Sequence, residues 1–375
     1  MSKIKILHCP IGSMNIGGIE NMIMQMYRTI DRDRFSFDFV VHDGEKNFYE
    51  DEIISLGGIL HRVDFISKNP LRHIIDFFKL LKNNPDYKVI HIHTTYSIMF
   101  MDALLSKLLG RTVIIHSHNS SAPAKRSVVH KLFKQLQDLF CDYRFTCSDF
   151  AAQWMFPKRS QKSAIFWPNA MDLEHLKFSQ VARRSVREEL EANGKFIIGN
   201  VGRLSYQKNQ TRLLEIYAEY SKINADSELW LVGDGPDREN LEEYSRMLNI
   251  SSKVRFLGAK KNVSDYLSAM DLFILTSRYE GLPLSLIETQ TSGLMTLAVR
   301  SGITEQVKCN SALKYVDDIS EKKWAVLINR QREKNLDRFG MFEEMLNSNF
   351  NIYRWISKVE DIYECIARGE ILNDK

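Results

Sequence analysis

Short apolar runs alternate with segments of helical periodicity along almost the whole chain, and this alternation limits the folds open to it. The runs predicted as strands are residues 3–9, 35–41, 59–63, 88–93, 113–117, 143–147, 196–201, 228–232, 253–257 and 271–276. Most of the intervals between them show the apolar spacing of a helix. Because such an order produces parallel sheets with helices on both faces, we predict an α/β fold.

The alternation is interrupted once, near Trp167-Pro168-Asn169-Ala170, where a polar stretch and a charged helical segment follow. A chain of 375 residues also exceeds the usual size of one domain. We therefore predict two doubly wound domains, 1–180 and 181–351, with a cleft between them. The tail from about 352 to 375 has i, i+3, i+4, i+7 apolar spacing, which predicts a helix and leaves its packing partner open.

Composition excludes several classes of protein. Apolar residues make up 44% of the chain and charged residues 26%, which is ordinary for a globular protein. No apolar run reaches the roughly 18 residues of a membrane span, and the first residues follow a strand pattern rather than that of a signal peptide. The five cysteines lack metal spacing and predict no disulfide framework. We expect a cytoplasmic protein.

Charge is unevenly distributed. Residues 1–190 hold 26 Lys and Arg against 20 Asp and Glu. This excess suits an anionic partner or surface but is too small to indicate nucleic acid, and no nucleic-acid motif accompanies it.

The stretch Ser277–Gly293 combines a strand end, a turn and the start of a helix. Pro283 is predicted as the first helical residue, where its missing N–H costs nothing. The unpaired N–H groups of such a helix start suit a phosphate. Two carboxylates, Glu280 and Glu288, bracket the turn. The run E-G-L-P-L-S-L-I-E resembles the E-x7-E motif of retaining glycosyltransferases of family 4, which have the GT-B fold of two Rossmann-like domains.

A second motif follows the strand at 196–201. Gly202-Arg203-Leu204, with Lys208 at the next helix, resembles the family's G-R-L…K motif. Two cations at a strand end beside a helix start can neutralise a diphosphate. Further strand-end glycines, Gly233 and Gly258, are predicted to line the pocket of the nucleotide base. The loop that begins at Gly302 resembles another family loop near the donor.

Two predicted sites lie in the first domain. Gly17-Gly18 opens the first helix, and glycine there lets a ligand approach the backbone. The surrounding run G-S-M-N-I-G-G-I-E-N resembles the first loop of family-4 enzymes that build exopolysaccharide or capsule. His116-Ser117-His118-Asn119 ends a strand, and the family has in this loop a histidine that contacts the sugar. Strand alignment favours His118 over His116.

The resemblance implies a retaining transferase (hexosyl or N-acetylhexosaminyl) that moves a sugar from a UDP-linked donor to a lipid-linked glycan. It assigns the diphosphate to Arg203 and Lys208, the ribose to Glu288, the sugar to Glu280 and His118, and the last helix to the N-terminal domain. The remaining predicted donor-binding residues are Gly17, Gly18, Gly202, Gly233, Gly258, Gly281, Leu282, Pro283, Leu284 and Ser285. It implies no cofactor and no metal, and we interpret the D-x-D run at Asp31 as a solvated turn.

Alternatives stay open at this point. A non-catalytic GT-B protein would typically have lost the cations or the glutamates, and a soluble acceptor could replace the lipid-linked one. Residues 68–144 hold twelve Lys and Arg against five Asp and Glu, and two helices there mix cations with large apolar groups. The pattern fits peripheral binding to an anionic membrane, but amphipathic helices packed on a soluble sheet have the same pattern.

Overall fold

The computed structural model describes residues 3–10, 12–15, 17–42, 44, 46–121, 124–317, 319–334 and 336–370, with the backbone alone at 124–126. The chain forms two compact units. One is Met1–Asp172 together with Asn349–Lys375, and the other is Leu173–Ser348. The predicted boundaries at 180/181 and 351/352 lie a few residues farther along the chain.

The N-terminal unit is built on a seven-stranded parallel sheet of order β3-β2-β1-β4-β5-β6-β7. Its strands are β1 (Ile4–Pro10), β2 (Phe35–His42), β3 (Leu60–Val63), β4 (Val89–Thr94), β5 (Thr112–Ser117), β6 (Tyr143–Thr146) and β7 (Ala164–Phe166). Its first helices are α1 (Gly18–Thr29), α2 (Glu50–Ser55), α3 (Pro70–Asn83), α4 (Phe100–Leu108), α5 (Ala124–Leu139), α6 (Asp149–Met155) and α7 (Lys158–Gln161). Separate apolar clusters pack against the two faces of the sheet, as is usual for a parallel sheet covered by helices on both sides.

The C-terminal unit has a six-stranded parallel sheet of order β10-β9-β8-β11-β12-β13. Its strands are β8 (Phe196–Val201), β9 (Ser227–Val232), β10 (Val254–Gly258), β11 (Leu272–Leu275), β12 (Thr296–Val299) and β13 (Leu313–Val316). Its helices are α8 (Gln180–Glu189), α9 (Gln210–Ile223), α10 (Arg238–Met247), α11 (Val263–Ala269), α12 (Leu284–Thr291), α13 (Glu321–Arg332) and α14 (Arg338–Leu346). Short 3-10 helices across both units are Ser97–Met99, Glu174–Leu176, Ser251–Lys253 and Glu305–Val307.

The chain returns to the first unit through α15 (Ile352–Arg368), which packs on α1 and β1. Trp355 and Tyr363 on its inner face are buried in the core of that unit. Gly369 ends the helix in a left-handed conformation, with φ of 73°. The predicted helix extended to 375, but residues 371–375 lie outside the described part of the chain.

The start of the second unit is fixed by two arginines of α8. Arg183 donates to the carbonyls of Ser268, Ala269 and Met270 at 3.1, 3.2 and 3.1 Å, and its guanidinium pairs with Asp271. Arg187 pairs with the same carboxylate at 2.6 Å. These bonds attach α8 to the end of α11. Just before α8, Ser179 donates its N–H to the Ser268 hydroxyl at 3.1 Å, so residues before 181 also belong to this unit.

Three strands, β7, β12 and β13, are absent from the predictions. They are only three or four residues long. Apolar periodicity in so short a run does not distinguish a strand from a loop that packs on the core. The ten predicted strands are all present, with ends that differ by at most one residue.

Candidate active site

Lys208 and Glu280, which belong to different sequence motifs, form an ion pair in the C-terminal unit. The Lys208 Nζ lies 2.7 Å from the Glu280 Oε1, and the two side chains are 17% and 6% exposed. Gln207 donates its amide to the Tyr279 carbonyl at 3.1 Å and to the Glu280 Oε2 at 3.4 Å. The cation of one motif is therefore held against the carboxylate of the other.

Backbone groups join the same two segments. Arg278 donates its N–H to the Gln207 carbonyl at 2.8 Å. Asn209, in a left-handed conformation at the start of α9, donates its side-chain amide to the Thr276 carbonyl at 3.2 Å. The Thr276 hydroxyl donates back to the Asn209 carbonyl at 3.0 Å. This network fixes the loop after β8 against the turn after β11, so Lys208 does not depend on its ion pair alone for its position.

The turn before α12 leaves polar groups without partners. Pro283 was predicted as the first helical residue, but the structure places it one residue before the helix. Its φ of −75° and ψ of 98° are extended, and α12 begins at Leu284. No side chain caps the helix. The hydroxyls of Ser277 and Ser285 are buried and have no hydrogen-bond partner among the described residues. Uncapped N–H groups and an unsatisfied hydroxyl at a helix start form a site for an anion.

Glu288 lies in α12, on the second half of the E-x7-E motif. Burial raises the pKa of its carboxyl to about 6, and the Lys208 charge opposes that rise. Its carboxylate makes no hydrogen bond or ion pair with the described residues. A carboxylate in this state can accept hydrogen bonds from a ligand's hydroxyls once it is ionised.

Arg203 differs from its motif partner Lys208. Its side chain is exposed and pairs with no carboxylate in the described part of the chain, while its carbonyl accepts from the buried Gln210 at 3.1 Å. The hydrogen bond from Gln210 thus fixes the backbone at Arg203, while the exposed guanidinium is able to bind an anion from solution. The structure shows no bond between Arg203 and Lys208 or Glu280.

Glycines permit the tight packing of the strand ends behind these residues. Gly202 donates to the Val232 carbonyl at 3.0 Å, and Gly233 donates to the Gly258 carbonyl at 2.8 Å. Gly233 has φ of +135°, and a Cβ there would lie 2.0 Å from the Gly202 oxygen. Any larger residue at Gly233 would therefore displace the loop that carries Arg203.

The other residues predicted around the turn are also placed here. Gly281 and Leu282 are buried and Leu284 begins α12. Glu280 donates its N–H to the Gly302 carbonyl at 2.9 Å, so the loop at Gly302 contacts the motif directly.

The predicted sites of the N-terminal unit lie at the carboxyl ends of its strands. Gly17 precedes α1 and Gly18 is its first residue; the Glu20 carboxylate occupies the space where a Gly17 Cβ would be, at 2.2 Å. His118 follows β5 directly, and its N–H donates to the Thr94 carbonyl at 3.1 Å. His116 is fully buried within the strand. The Asp31 run forms a turn in which the Asp31 carboxylate accepts from the Asp33 N–H at 2.9 Å.

Sequence reasoning missed two groups of residues. Gln207, Asn209 and Thr276 anchor the motifs, but single polar residues in loops carry no recognisable spacing. His8, His91 and His93 join His116 and His118 in a buried cluster. The repeated H-x-H spacing on neighbouring strands was the signal that could have revealed it.

Two family models match the chain. The one described as Glycosyl transferases group 1 matches residues 182–331, and the one described as Glycosyltransferase Family 4 matches residues 16–175. The putative glycosyltransferase EpsF of Bacillus subtilis is 32% identical over 343 residues, which cover 88% of each chain.

More distant relatives and structures agree with these matches. The UDP-Gal:alpha-D-GlcNAc-diphosphoundecaprenol alpha-1,3-galactosyltransferase of Escherichia coli is 25% identical over 386 residues, covering 96% of this chain and 97% of the relative. The crystal structure of Anabaena Alr3699/HepE in complex with UDP superposes with a TM-score of 0.79 at 18% identity, covering 96% of this chain and 99% of that one.

Proposed function

The chain belongs to glycosyltransferase family 4 and has the GT-B fold, and from that premise we propose that it transfers a sugar from a UDP-linked donor to a lipid-linked glycan. The transfer retains the configuration of the sugar and contributes to exopolysaccharide or capsule synthesis. The E. coli relative, by its name, supports the diphosphoundecaprenol type of acceptor.

One observation carries the donor site: the uncapped start of α12, with its unsatisfied Ser285 hydroxyl, follows the turn that holds the Lys208–Glu280 pair. A donor diphosphate would receive hydrogen bonds from the helix N–H groups and charge from Lys208 and the exposed Arg203. As the sugar leaves, negative charge grows on the diphosphate, and fixed donors stabilise it without reorganisation.

The carboxylates and His118 would bind the rest of the donor. Glu288 accepts hydrogen bonds from the ribose hydroxyls. When the diphosphate binds Lys208, the ion pair of Lys208 with Glu280 breaks, and Glu280 then accepts hydrogen bonds from the hydroxyls of the sugar. His118 contacts the sugar. The departing phosphate takes the proton of the acceptor hydroxyl, so the enzyme requires no nucleophile of its own if attack and departure share one face.

A donor screen tests this function. Purified protein is incubated with UDP-linked, GDP-linked and ADP-linked sugars, and release of the nucleotide is followed with and without diphosphoundecaprenol-linked glycan. We expect release from a UDP-sugar and a large acceleration by the lipid-linked acceptor. Release from none of the donors, or from GDP- or ADP-sugars alone, would contradict the proposal.

The Glu288 pKa makes donor binding depend on pH. The ionised carboxylate accepts from the ribose, so affinity for UDP-glucose should rise as pH passes through about 6 and level off above it. If only the ionised form binds well, affinity falls about tenfold from pH 7 to pH 5. Calorimetry measures this directly. UDP-glucose is the better probe because its diphosphate has no group that titrates near pH 6, unlike the terminal phosphate of UDP.

Glu288→Gln provides the control. The variant should bind more weakly at pH 7 and show a flat profile across this range, since its amide does not titrate. A profile in the variant that matches the wild type would assign the pH dependence to another group.

A lipid-linked acceptor requires contact with a membrane surface, and α5 has a face suited to it. Its exposed aliphatic side chains lie along one side of the helix: Val128, Leu132, Leu136 and Leu139 are 68, 67, 40 and 67% exposed. Exposed apolar residues on one helix face favour insertion at the headgroup boundary. Among the described residues, no helix is long and apolar enough to cross a bilayer.

The Lys and Arg residues of 68–144 contribute less to membrane binding than their number indicates, because several of them already have partners in the protein. Lys107 pairs with Asp142 at 2.7 Å, Arg144 pairs with Asp138 at 2.7 Å, and Lys134 donates to the Trp154 carbonyl at 2.6 Å. The side chains of Lys125 and Arg126 lie outside the described residues. The apolar face, more than the net charge, therefore supports membrane binding.

Vesicle flotation tests the α5 face. Wild-type protein should float with vesicles rich in anionic lipid, and Leu132→Ser/Leu136→Ser should reduce the bound fraction severalfold because it removes the apolar contact. Val181→Ser, which changes an aliphatic residue of α8 that is 80% exposed, is the matched control and should bind as wild type does. Wild-type protein that stays unbound at low salt would favour a soluble acceptor.

A further inference from the structure

Five histidines form a cluster on one face of the N-terminal sheet, and the proposed transfer reaction uses only His118 among them. His8 lies on β1, His91 and His93 on β4, His116 on β5 and His118 directly after it. In the sheet register His8 is opposite His91 and His93 is opposite His116. Because alternate residues of a strand point to one face, all these rings project to the same side of the sheet.

The rings of this histidine cluster contact one another through nitrogen atoms. The His8 Nδ1 lies 2.9 Å from the His93 Nε2, and the His93 Nδ1 lies 3.0 Å from the His118 Nε2. The His91 Nε2 lies 3.3 Å from the His116 Nδ1. Burial lowers the pKa of His8 and of His118 to about 3, and it holds the other three well below the usual range. The imidazoles are therefore neutral, which is the form that binds metals.

These contacts leave ring nitrogens unsatisfied. The His8 Nε2, the His116 Nε2 and the His118 Nδ1 are buried and have no hydrogen-bond partner in the described part of the chain. A buried polar group without a partner destabilises the fold, and such groups are rare in folded proteins. Two of them belong to His116 and His118, which lie beside His93 in one group of metal-ligating side chains, and they indicate a ligand there.

We propose that His93, His116 and His118 form a binding site for one divalent transition-metal ion of the zinc type. One ring nitrogen from each of the three lies within 4.8 Å of the others. Tetrahedral zinc with Zn–N bonds of about 2.0–2.1 Å holds its ligand nitrogens about 3.3–3.4 Å apart. The 3.0 Å between the His93 Nδ1 and the His118 Nε2 is a hydrogen bond in the ion-free protein, and a bound ion would replace it.

A second triad, His8, His91 and His93, satisfies the same distance criterion but is less suitable. All three of its rings are fully buried, and Tyr363 closes it through a 2.8 Å hydrogen bond to the His91 Nδ1. His118 is less buried and lies beyond the end of β5. The other four rings are fully buried, so an ion, and a water molecule as fourth ligand, would enter from the side of His118.

The charge of the site can be balanced by that water. Three neutral imidazoles leave the full 2+ charge on the ion, which is costly in a buried place. A zinc-bound water has a pKa of about 7, and its hydroxide reduces the charge of the site by one. The site goes beyond the proposed function, which assigns the donor phosphates to Arg203 and Lys208 of the other unit. With its ring on the ion, His118 would contact the sugar through its backbone.

Metal titration tests the site. Protein without a histidine tag is treated with a chelator, transferred to metal-free buffer and titrated with Co²⁺ and with Zn²⁺. We expect one ion bound per chain, the visible absorption of tetrahedral Co²⁺, and a higher Tm with Zn²⁺ because only the folded state binds it. No binding at micromolar metal, or an octahedral Co²⁺ spectrum, would overturn the proposal.

Matched variants locate the site. His116→Gln and His118→Gln should each lower affinity at least a hundredfold. His61→Gln removes a ring of the N-terminal unit outside the cluster, where it contacts the Tyr87 hydroxyl at 2.7 Å, and His175→Gln removes an exposed ring of the C-terminal unit; both should bind as wild type does. Equal loss in His61→Gln, or loss in His175→Gln alone, would contradict the assignment.

A measurement on the wild type covers the case in which a variant fails to fold. In protein labelled with ¹⁵N histidine, Zn²⁺ should shift the ring nitrogen resonances of three histidines and leave that of His175 unchanged. Shifts confined to exposed histidines would refute the site.

Discussion

Replacing Lys208 with Ala should lower kcat of sugar transfer about 10²–10³-fold, the loss seen when one preorganised charge donor is removed. Lys208 is held by its ion pair with Glu280 and by the network around Gln207 and Asn209, so its charge is fixed before the donor arrives. Steady-state kinetics with saturating UDP-sugar and acceptor measures the effect. The loss should appear in kcat more than in KM, because charge on the diphosphate grows as the sugar leaves.

The variant also leaves Glu280 buried without its cation, which should lower Tm. Lys208→Ala/Glu280→Gln tests the stability effect alone, since it removes the buried charge and should recover Tm; its turnover stays low because Glu280 is assigned to the sugar. Lys222→Ala removes a cation of α9 that is 68% exposed and pairs with Glu219, and it should change neither. Near wild-type kcat in Lys208→Ala would remove Lys208 from the phosphate site.

Gly233→Ala should destabilise the C-terminal unit by about 3–5 kcal/mol. Two causes act together: the φ of +135° is one that side chains rarely adopt, and the added Cβ would lie 2.0 Å from the Gly202 oxygen. Because this oxygen belongs to backbone, a change of rotamer cannot relieve the contact. If Gly233→Ala folds, it should also bind the donor more weakly, because the loop that carries Arg203 is displaced. Urea denaturation and calorimetry measure the two losses.

Gly194→Ala is the matched control for backbone conformation alone. Gly194 has φ of +78° in the same unit, but a Cβ there meets nothing within 4 Å. Its cost should be about 1–2 kcal/mol, with donor affinity unchanged. Equal destabilisation in the two variants would mean that the close approach at Gly202 contributes nothing.

The architecture could be predicted from the sequence because buried parallel strands have a strong local signal. The run Phe196–Val201 was predicted with both of its ends correct, and the family and the GT-B fold are confirmed. Short strands such as β13 have no such signal. The residues proposed for the donor were found through motifs, and their roles stay predictions.

Contacts between residues of different motifs could not be predicted from the sequence. Nothing in the spacing of Lys208 and Glu280 indicates that they pair, since this depends on the register of β8 beside β11 and on the loop conformations. Likewise, the sequence left open whether the apolar residues of α3 and α5 face the core or a membrane surface. The structure buries Phe77 and Leu81 of α3 but leaves Leu132 of α5 exposed, because only the packing decides which face of each helix is covered.

The return of α15 to the first unit has a consequence for synthesis of the protein. A nascent chain that has reached Ser348 contains every residue of the second unit, whereas the first unit still lacks Trp355 and Tyr363. The first unit therefore begins synthesis first but completes its core last. The second unit, which lies between its two segments, is the first to have its whole sequence synthesised. Until α15 arrives, the apolar face of β1 is uncovered and the His91 Nδ1 lacks the Tyr363 hydroxyl that bonds it, which makes that interval the one in which a chaperone would be needed.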